Sequence, residues 1–116
     1  MEERQGMIVY RRELSPQEVE LSVHADLVSE TTPEFRNALY AELDQPHRIL
    51  KLDFERVRII NSSALGAILL FQKKAREVGK KIMIAGCNEE LRRTMLAIRL
   101  DRIIEIQGEA PPTLDR

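Results

Sequence analysis

Stretches typical of β-strands alternate with stretches typical of amphipathic helices along most of the chain, and this alternation limits the folds open to it. The predicted order is β-β-α-β-α-β-α-β, in a chain of 116 residues that is long enough for one domain. A strand, a helix and a further strand in succession form a parallel pair with a right-handed crossover, whereas two strands joined by a turn form an antiparallel hairpin. We therefore predict a single α/β domain with a mixed, mostly parallel β-sheet, an N-terminal antiparallel hairpin and three main helices.

Apolar residues in the predicted strands alternate with polar ones. Val19, Leu21 and Val23 show this period, which is typical of a half-buried strand, and the SPQ segment before them supplies the turn of the hairpin. In the next strand, HRILKLDF, Leu50 points to one face and Ile49 to the other. We therefore expect both faces of the sheet to be covered.

Apolar residues in the predicted helices recur at helical spacing. The second helix is predicted from about Ser62 to Val78 and opens with the run ALGAILLF, which is apolar nearly all round. We expect its first turns to be deeply buried. In the third helix, Leu91, Met95 and Ile98 are predicted to form the inner stripe.

Composition and charge exclude several classes of function. The net charge of −1 argues against general nucleic-acid binding, which usually requires a strong basic excess. No stretch approaches the length of about 20 apolar residues that a membrane span needs, so we expect no membrane insertion. The N-terminal segment lacks the apolar core and cleavage site of a signal peptide, and we expect a cytoplasmic location.

Residue patterns typical of catalysis or of metal binding are not found in the sequence. His24 and His47 lack metal-ligand spacing and are expected to be surface or loop residues, while the single Cys87 is expected to be a small loop or core residue. NSSALG lacks the first glycine of a nucleophile elbow, and EVGKK lacks the upstream glycine of a P-loop. We therefore expect no enzyme, no cofactor and no metal, and a nucleotide-binding or catalytic α/β protein is the least favoured function.

Arginines recur along and after the third helix, at Arg92, Arg93, Arg99 and Arg102. They could form a phosphate-binding patch or a solvated helix face, because glutamates and an aspartate are interleaved with them. Charge runs on helices are usually solvated, and we favour that interpretation.

The loop before the second helix holds three residues that can each cap a helix, namely Asn61, Ser62 and Ser63. Capping requires only one of them, and we expect one serine to cap the helix and the other to remain available. The small residues of SALGA would let the backbone of a partner approach closely. A phosphate on an exposed serine here would be tolerated by the helix dipole, yet would block a partner packed on the same surface.

The chain resembles the STAS domains (sulfate transporter and anti-sigma factor antagonist), and especially the free-standing bacterial anti-sigma factor antagonists. RIINSSALGAILLFQKKAREVGKKIMIAG resembles the family's strand, D-S-[ST]-G-L-G loop, helix and strand, and ADLVSETTPEF aligns with its G-E-[LI]-D segment and first helix. Leu100 and Asp101 match two of the three residues of its G-L-D segment. The resemblance runs from Met7 to Ile106, so we expect a STAS domain over residues 1–107 and a disordered tail over 108–116.

The resemblance implies a partner switch. In the family, the unmodified antagonist binds an anti-sigma factor that is also a serine kinase, phosphorylation releases it, and a serine phosphatase resets it. Carried over by position, Ser62 is the phospho-acceptor and Ser63 the second choice. The residues expected to bind the partner are Asp26, Leu27, Val28, Ser29, Asn61, Ser62, Ser63, Ala64, Leu65 and Gly66.

The sequence departs from the family pattern at several positions of these segments. Asn61 and Val28 stand where the family usually has Asp, and Ala64 and Ala25 stand where it has Gly. Asn61 would ease phosphorylation of the next residue, because it removes a like charge. The lost carboxylates also leave an alternative open, in which the domain is a constitutive STAS docking subunit of another complex, such as the ATPase of a lipid transporter.

Overall fold

A computed structural model describes residues 2–5 and 8–107, and side chains from residue 8 onward. Within these residues the chain forms six strands, three α-helices and two short 3₁₀ helices. The strands are β1 (Glu2–Gln5), β2 (Val9–Glu13), β3 (Glu18–Val23), β4 (Ile49–Asp53), β5 (Lys81–Ala85) and β6 (Glu105–Ile106). The α-helices are α1 (Thr32–Ala41), α2 (Ser62–Glu77) and α3 (Glu89–Ala97), and the 3₁₀ helices are Glu42–Asp44 and Leu100–Arg102. The predicted tail, residues 108–116, lies outside the described residues.

The strands form one sheet in which their order in space is their order in the chain, β1-β2-β3-β4-β5-β6. The pairs β1–β2 and β2–β3 are antiparallel, and the remaining pairs are parallel. From β2 onward, the predicted order β-β-α-β-α-β-α-β is confirmed. Strand β1 was not predicted, because its sequence EERQ contains no apolar residue from which an alternation could be recognised.

All three helices pack on one face of the sheet. Each crossover moves one strand further in the same direction, and right-handed crossovers that advance in one direction place their helices on one side. Strand residues such as Leu21, Leu52 and Ile84 share a single buried cluster with residues from all three helices. This cluster is the core of the domain.

The opposite face of the sheet is polar. Arg12 Nη2 donates a hydrogen bond to Glu20 Oε1 at 2.9 Å, and Ser22 Oγ donates one to Asp53 Oδ2 at 3.1 Å. Ile49 lies on this face and is only half-buried. A second covered face, which we expected from Ile49, is therefore not found among the described residues.

His47 departs from expectation because it lies in the loop before β4 but is buried, with 5% of its surface exposed. Its Nε2 atom lies 3.2 Å from Glu13 Oε2. Cys87 is fully buried, with its Sγ atom 3.8 Å from Met95 Sδ, so it is a core residue as expected.

The third helix ends one residue earlier than its apolar spacing predicted. α3 stops at Ala97, and Arg99 adopts the left-handed conformation with φ 63°. The chain therefore turns away before Ile98 can complete the inner stripe, and Ile98 is 49% exposed. The prediction for Leu91 and Met95 is confirmed, since both are buried, and the prediction for Ile98 is wrong.

Candidate partner-binding surface

Two loops that follow neighbouring parallel strands meet at one edge of the sheet. The loop after β3 and the loop after β4 both begin at the carboxyl ends of their strands, which lie side by side. Leu27 and Ile60 form a parallel β-bridge between them. The Leu27 backbone nitrogen donates to the Ile59 carbonyl and the Asn61 nitrogen donates to the Leu27 carbonyl, each at 2.9 Å. We call the surface formed by residues 26–29 and 58–66 the paired-loop surface.

Asp26 ties the two loops together through its carboxylate. Its Oδ1 atom accepts hydrogen bonds from the backbone nitrogens of Arg58, at 2.9 Å, and Ile59, at 3.3 Å. Its Oδ2 atom lies 3.9 Å from Nη2 of Arg58, and 26% of the Asp26 side chain is exposed. Thr31 Oγ1 adds to this link by donating to the Asp26 carbonyl at 2.7 Å. Asp26 therefore holds the shape of the surface.

Asn61, and neither serine, caps α2. Asn61 has extended backbone angles, and its Oδ1 atom accepts a hydrogen bond from the Ala64 nitrogen at 2.8 Å. Ser62 and Ser63 are the first two residues of the helix, both are exposed, and their hydroxyls make no hydrogen bond within the described part of the chain. The expectation that one serine caps the helix is wrong. Both hydroxyls face solvent.

The residues expected to bind a partner divide by burial. Leu27 and Ala64 are fully buried, so their side chains support the paired-loop surface from beneath and do not form it. The half-buried residues are Asp26, Val28, Asn61 and Leu65, and the exposed ones are Ser29, Ser62, Ser63 and Gly66.

Exposed apolar residues that the sequence pattern did not predict extend this surface along α2. Leu69 is 40% exposed and Leu70 is 50% exposed, so the expectation that the first turns of α2 are deeply buried is wrong for this face. Buried positions such as Ala64, Ile68 and Phe71 lie on the opposite side of the helix. Successive side chains turn by about 100°, so the same run could have been divided into an inner and an outer face from the sequence.

A small pocket of about 120 Å³ adjoins the paired-loop surface on the side of α3. Its walls include the apolar side chain of Ile59, which is 56% exposed, and that of the buried Leu91. The residues that line it are Arg58, Ile59, Ile60, Glu90, Leu91 and Thr94.

The arginines of the third helix and of the segment after it are solvated, as we favoured. Arg92, Arg93, Arg99 and Arg102 are exposed, and Arg93 Nη2 lies 3.1 Å from Glu89 Oε2 one helical turn earlier. Residues 2–5 and 8–107 contain no cluster of three or more His, Cys, Asp or Glu side chains able to hold a metal ion. No helix within those residues combines the length and apolar character needed to cross a bilayer.

Comparison with known proteins identifies the family. The sequence model of the family described as "Mlab, STAS domain" matches residues 10–106. The chain belongs to the STAS domain family. A search of curated proteins by sequence gives no match.

Solved structures that include anti-sigma factor antagonists share the fold at low sequence identity. A candidate anti-sigma factor antagonist from Thermotoga maritima is 24% identical, with a TM-score of 0.77 over 87% of this chain and 86% of that one. An anti-sigma factor antagonist from Mycobacterium paratuberculosis is 17% identical, with a TM-score of 0.77 over 99% and 93%. The Bacillus protein SpoIIAA in its phosphorylated form is 13% identical, with a TM-score of 0.69 over 89% and 92%. These likenesses extend the family assignment to the three-dimensional fold.

Proposed function

We propose that this STAS domain is an anti-sigma factor antagonist that acts by partner switching in the cytoplasm. In the unmodified state it binds an anti-sigma factor with serine kinase activity, and phosphorylation of Ser62 releases it. A serine phosphatase restores the binding state. The domain is thus a regulator and a kinase substrate, and it is not itself an enzyme.

The observation that carries the proposal is the division of roles at the start of α2. Asn61 supplies the cap, so the exposed hydroxyls of Ser62 and Ser63 serve no purpose in holding the helix together. A hydroxyl that is exposed and free of structural hydrogen bonds can enter the active site of a kinase without local unfolding. The paired-loop surface is therefore suited to modification in the folded state.

The electrostatics of the site would allow the domain to tolerate a phosphate on Ser62 or Ser63. The same phosphate would interfere with a bound partner. A dianionic group on the first turn of α2 lies at the positive end of the helix dipole. Asn61 provides the capping oxygen without a charge, whereas an aspartate there would repel the phosphate. The same phosphate would place a large, charged group on the surface against which a partner packs.

Ser62 is the preferred acceptor and Ser63 the second choice. Ser62 lies one helical turn before Gly66, in line with the exposed face of α2. Ser63 lies about 100° further around the helix, on the side of that face that carries Leu70. A phosphate on Ser62 would therefore stand directly in line with the surface that continues to Leu69.

A pull-down from native cells tests this proposal. The wild type, Ser62→Glu and Asn37→Glu would be compared, because Asn37 is an exposed residue of α1 that does not belong to the paired-loop surface and gives a matched added charge. We expect the wild type and Asn37→Glu to recover an anti-sigma factor with kinase activity and Ser62→Glu to lose it. That kinase should phosphorylate Ser63→Ala but not Ser62→Ala. Recovery of a transporter ATPase, held equally by all three proteins, would overturn the switch.

A further inference from the structure

Gly66, in the second turn of α2, occupies a position where the packing of the domain leaves room for a side chain. A methyl group added at this position would meet no atom within 4 Å, and the positive φ angles found at Gly79 and Gly86 do not occur here. Glycine in a helix interior also lowers helix stability relative to alanine. The domain therefore carries a destabilising residue where its own packing would accept alanine. The packing of the described residues therefore gives no reason for a glycine at this position.

Gly66 lies at the centre of an exposed stripe on α2, formed by Ser62, Gly66, Leu69, Leu70 and Lys73. At about 100° per residue these side chains project from one side of the helix, opposite the buried side. We call them the α2 stripe.

We propose that the α2 stripe docks an amphipathic helix of the anti-sigma factor, which crosses α2 at Gly66. The partner helix places apolar side chains on Leu69 and Leu70 and directs acidic side chains toward Lys73 and Lys74. That the partner is an anti-sigma factor rests on the proposed function. That it docks through a helix is inferred from the residues of the α2 stripe.

Two features of α2 indicate which partner would bind the α2 stripe: the absence of a side chain at Gly66 and the positive charge of its last turns. A residue without a side chain lets two helix axes approach toward the lower end of the usual spacing of about 8–10 Å. The exposed charges of the last turns of α2 are Lys73, Lys74, Arg76 and Glu77, which gives a positive excess. A helix with an acidic end is complementary to this excess.

The same arrangement explains how one phosphate would release the partner. Ser62 is part of the α2 stripe, one turn before the crossing point at Gly66. A phosphate there would add negative charge at one end of the stripe and occupy the space next to Gly66. It would therefore block the close approach of the partner helix at the crossing point.

Two measurements on Gly66→Ala test the proposal, because they are expected to change in opposite directions. Urea denaturation of the free domain should show higher stability, while calorimetric titration with the anti-sigma factor purified from the pull-down should show binding weakened by at least about tenfold. Asn37→Ala, which adds the same small residue on the exposed face of α1, should leave binding unchanged. The double variant Lys73→Glu, Lys74→Glu should also weaken binding, and more so at low ionic strength.

The failure of this inference can be told apart from failure of the proposed function. If the anti-sigma factor binds Gly66→Ala and Leu70→Ser as tightly as the wild type, the α2 stripe is not its docking surface and the inference is overturned. If the recovered partner has no kinase activity but still requires Gly66, the proposed function is overturned and the helix-docking surface is supported. Dimerisation of the wild type that Gly66→Ala abolishes, measured by sedimentation, would assign the stripe to a second copy and overturn the inference.

Discussion

The carboxylate of Asp26 binds the backbone of Arg58, because Asp26 Oδ1 accepts a hydrogen bond from the Arg58 backbone nitrogen at 2.9 Å. The same oxygen accepts from the nitrogen of Ile59, so one carboxylate atom fixes two successive residues of the neighbouring loop. The side chain of Arg58 is 82% exposed, and its Nη2 atom lies farther away, at 3.9 Å from Oδ2. The link between the two loops thus depends on the Arg58 main chain more than on its side-chain charge.

We expect Asp26→Ala to lower the free energy of unfolding by about 1–2 kcal/mol, because it leaves two loop nitrogens without their charged acceptor. Urea denaturation measures the loss, and amide hydrogen exchange should be faster at Arg58 and Ile59. The control is Glu30→Ala, which removes an exposed carboxylate from the same loop and should change little. Unchanged exchange at both nitrogens in Asp26→Ala would contradict the assigned role.

The capping role of Asn61 is tested by three substitutions at the start of α2. Asn61→Ala should lower the free energy of unfolding by about 1 kcal/mol, whereas Asn61→Asp should retain the cap. Ser63→Ala should change stability by less than about 0.5 kcal/mol, since that hydroxyl caps nothing. Urea denaturation of the three variants measures these changes. If Ser63→Ala lowered the free energy of unfolding as much as Asn61→Ala, the serine would also contribute to the cap and the assignment to Asn61 alone would be wrong.

Arg99 stands in a conformation that favours glycine, and it occupies the place of the glycine in the family's G-L-D segment. At φ 63° an L side chain costs about 1–2 kcal/mol, part of which is offset by the lower chain entropy of a non-glycine residue in the unfolded state. Arg99→Gly should therefore raise the free energy of unfolding by about 0.5–1 kcal/mol. Arg92→Gly, in the interior of α3, should lower it by about as much. Destabilisation by both substitutions would contradict the prediction.

Gly86 should respond to alanine in the opposite way from Gly66. Its φ is +81°, and an added Cβ would lie 2.8 Å from Asp53 Oδ1 and 3.0 Å from the Glu55 nitrogen. We expect Gly86→Ala to lower the free energy of unfolding by about 1–3 kcal/mol through backbone strain and crowding. Thermal denaturation measures this loss of stability. A stability equal to that of the wild type would show that the loop after β4 can shift to make room for the added Cβ.

The pair Lys81–Glu105 links β5 to the edge strand β6, with Nζ and Oε1 3.0 Å apart. The hydrogen bond from Lys81, followed by its charge, holds the pKa of Glu105 below its ordinary value. The pair therefore stabilises the fold above the unfolded-state pKa of Glu105, and this contribution is lost as the pH falls through the lower folded-state pKa.

We expect Lys81→Met to raise the pKa of Glu105 toward its ordinary value in an NMR titration of the carboxyl carbon. Lys74→Met, which removes a lysine from the exposed side of α2, should leave that pKa where it is. Equal titration of Glu105 in the wild type and Lys81→Met would show that the pair is not formed in solution.

Hydrophobic spacing predicted the strands and helices of this fold better than it predicted which of their faces are buried. The alternation around Leu21 and the recurrence from Leu91 to Met95 define a strand and a helix without further information. The run ALGAILLF, by contrast, is apolar nearly all round. Its spacing gives an inner and an outer face, but not how much of the outer face the rest of the domain covers, and the exposure of Leu70 was not predicted for that reason. Ile98 was misplaced because the spacing gives no sign that Arg99 ends the helix by turning left-handed.

The position of the paired-loop surface could be predicted from the sequence, but the roles of its individual residues could be predicted only in part. Asn61, Ser62 and Ser63 can each cap a helix, and the choice among them depends on which residue is the last with extended backbone angles. That residue is Asn61, with ψ 172°. The exposure of Ile59 and the burial of Leu27 depend on the bridge between the two loops, which no local pattern reveals.

The bridge between Leu27 and Ile60 also bears on the thermodynamics of association. Both loops are held by main-chain hydrogen bonds before any partner arrives, so binding need not order them and little conformational entropy is lost on this side of the complex. Affinity then depends on how well the two surfaces match. A phosphate added to such a rigid loop acts as bulk and charge, without any need to refold the domain that carries it.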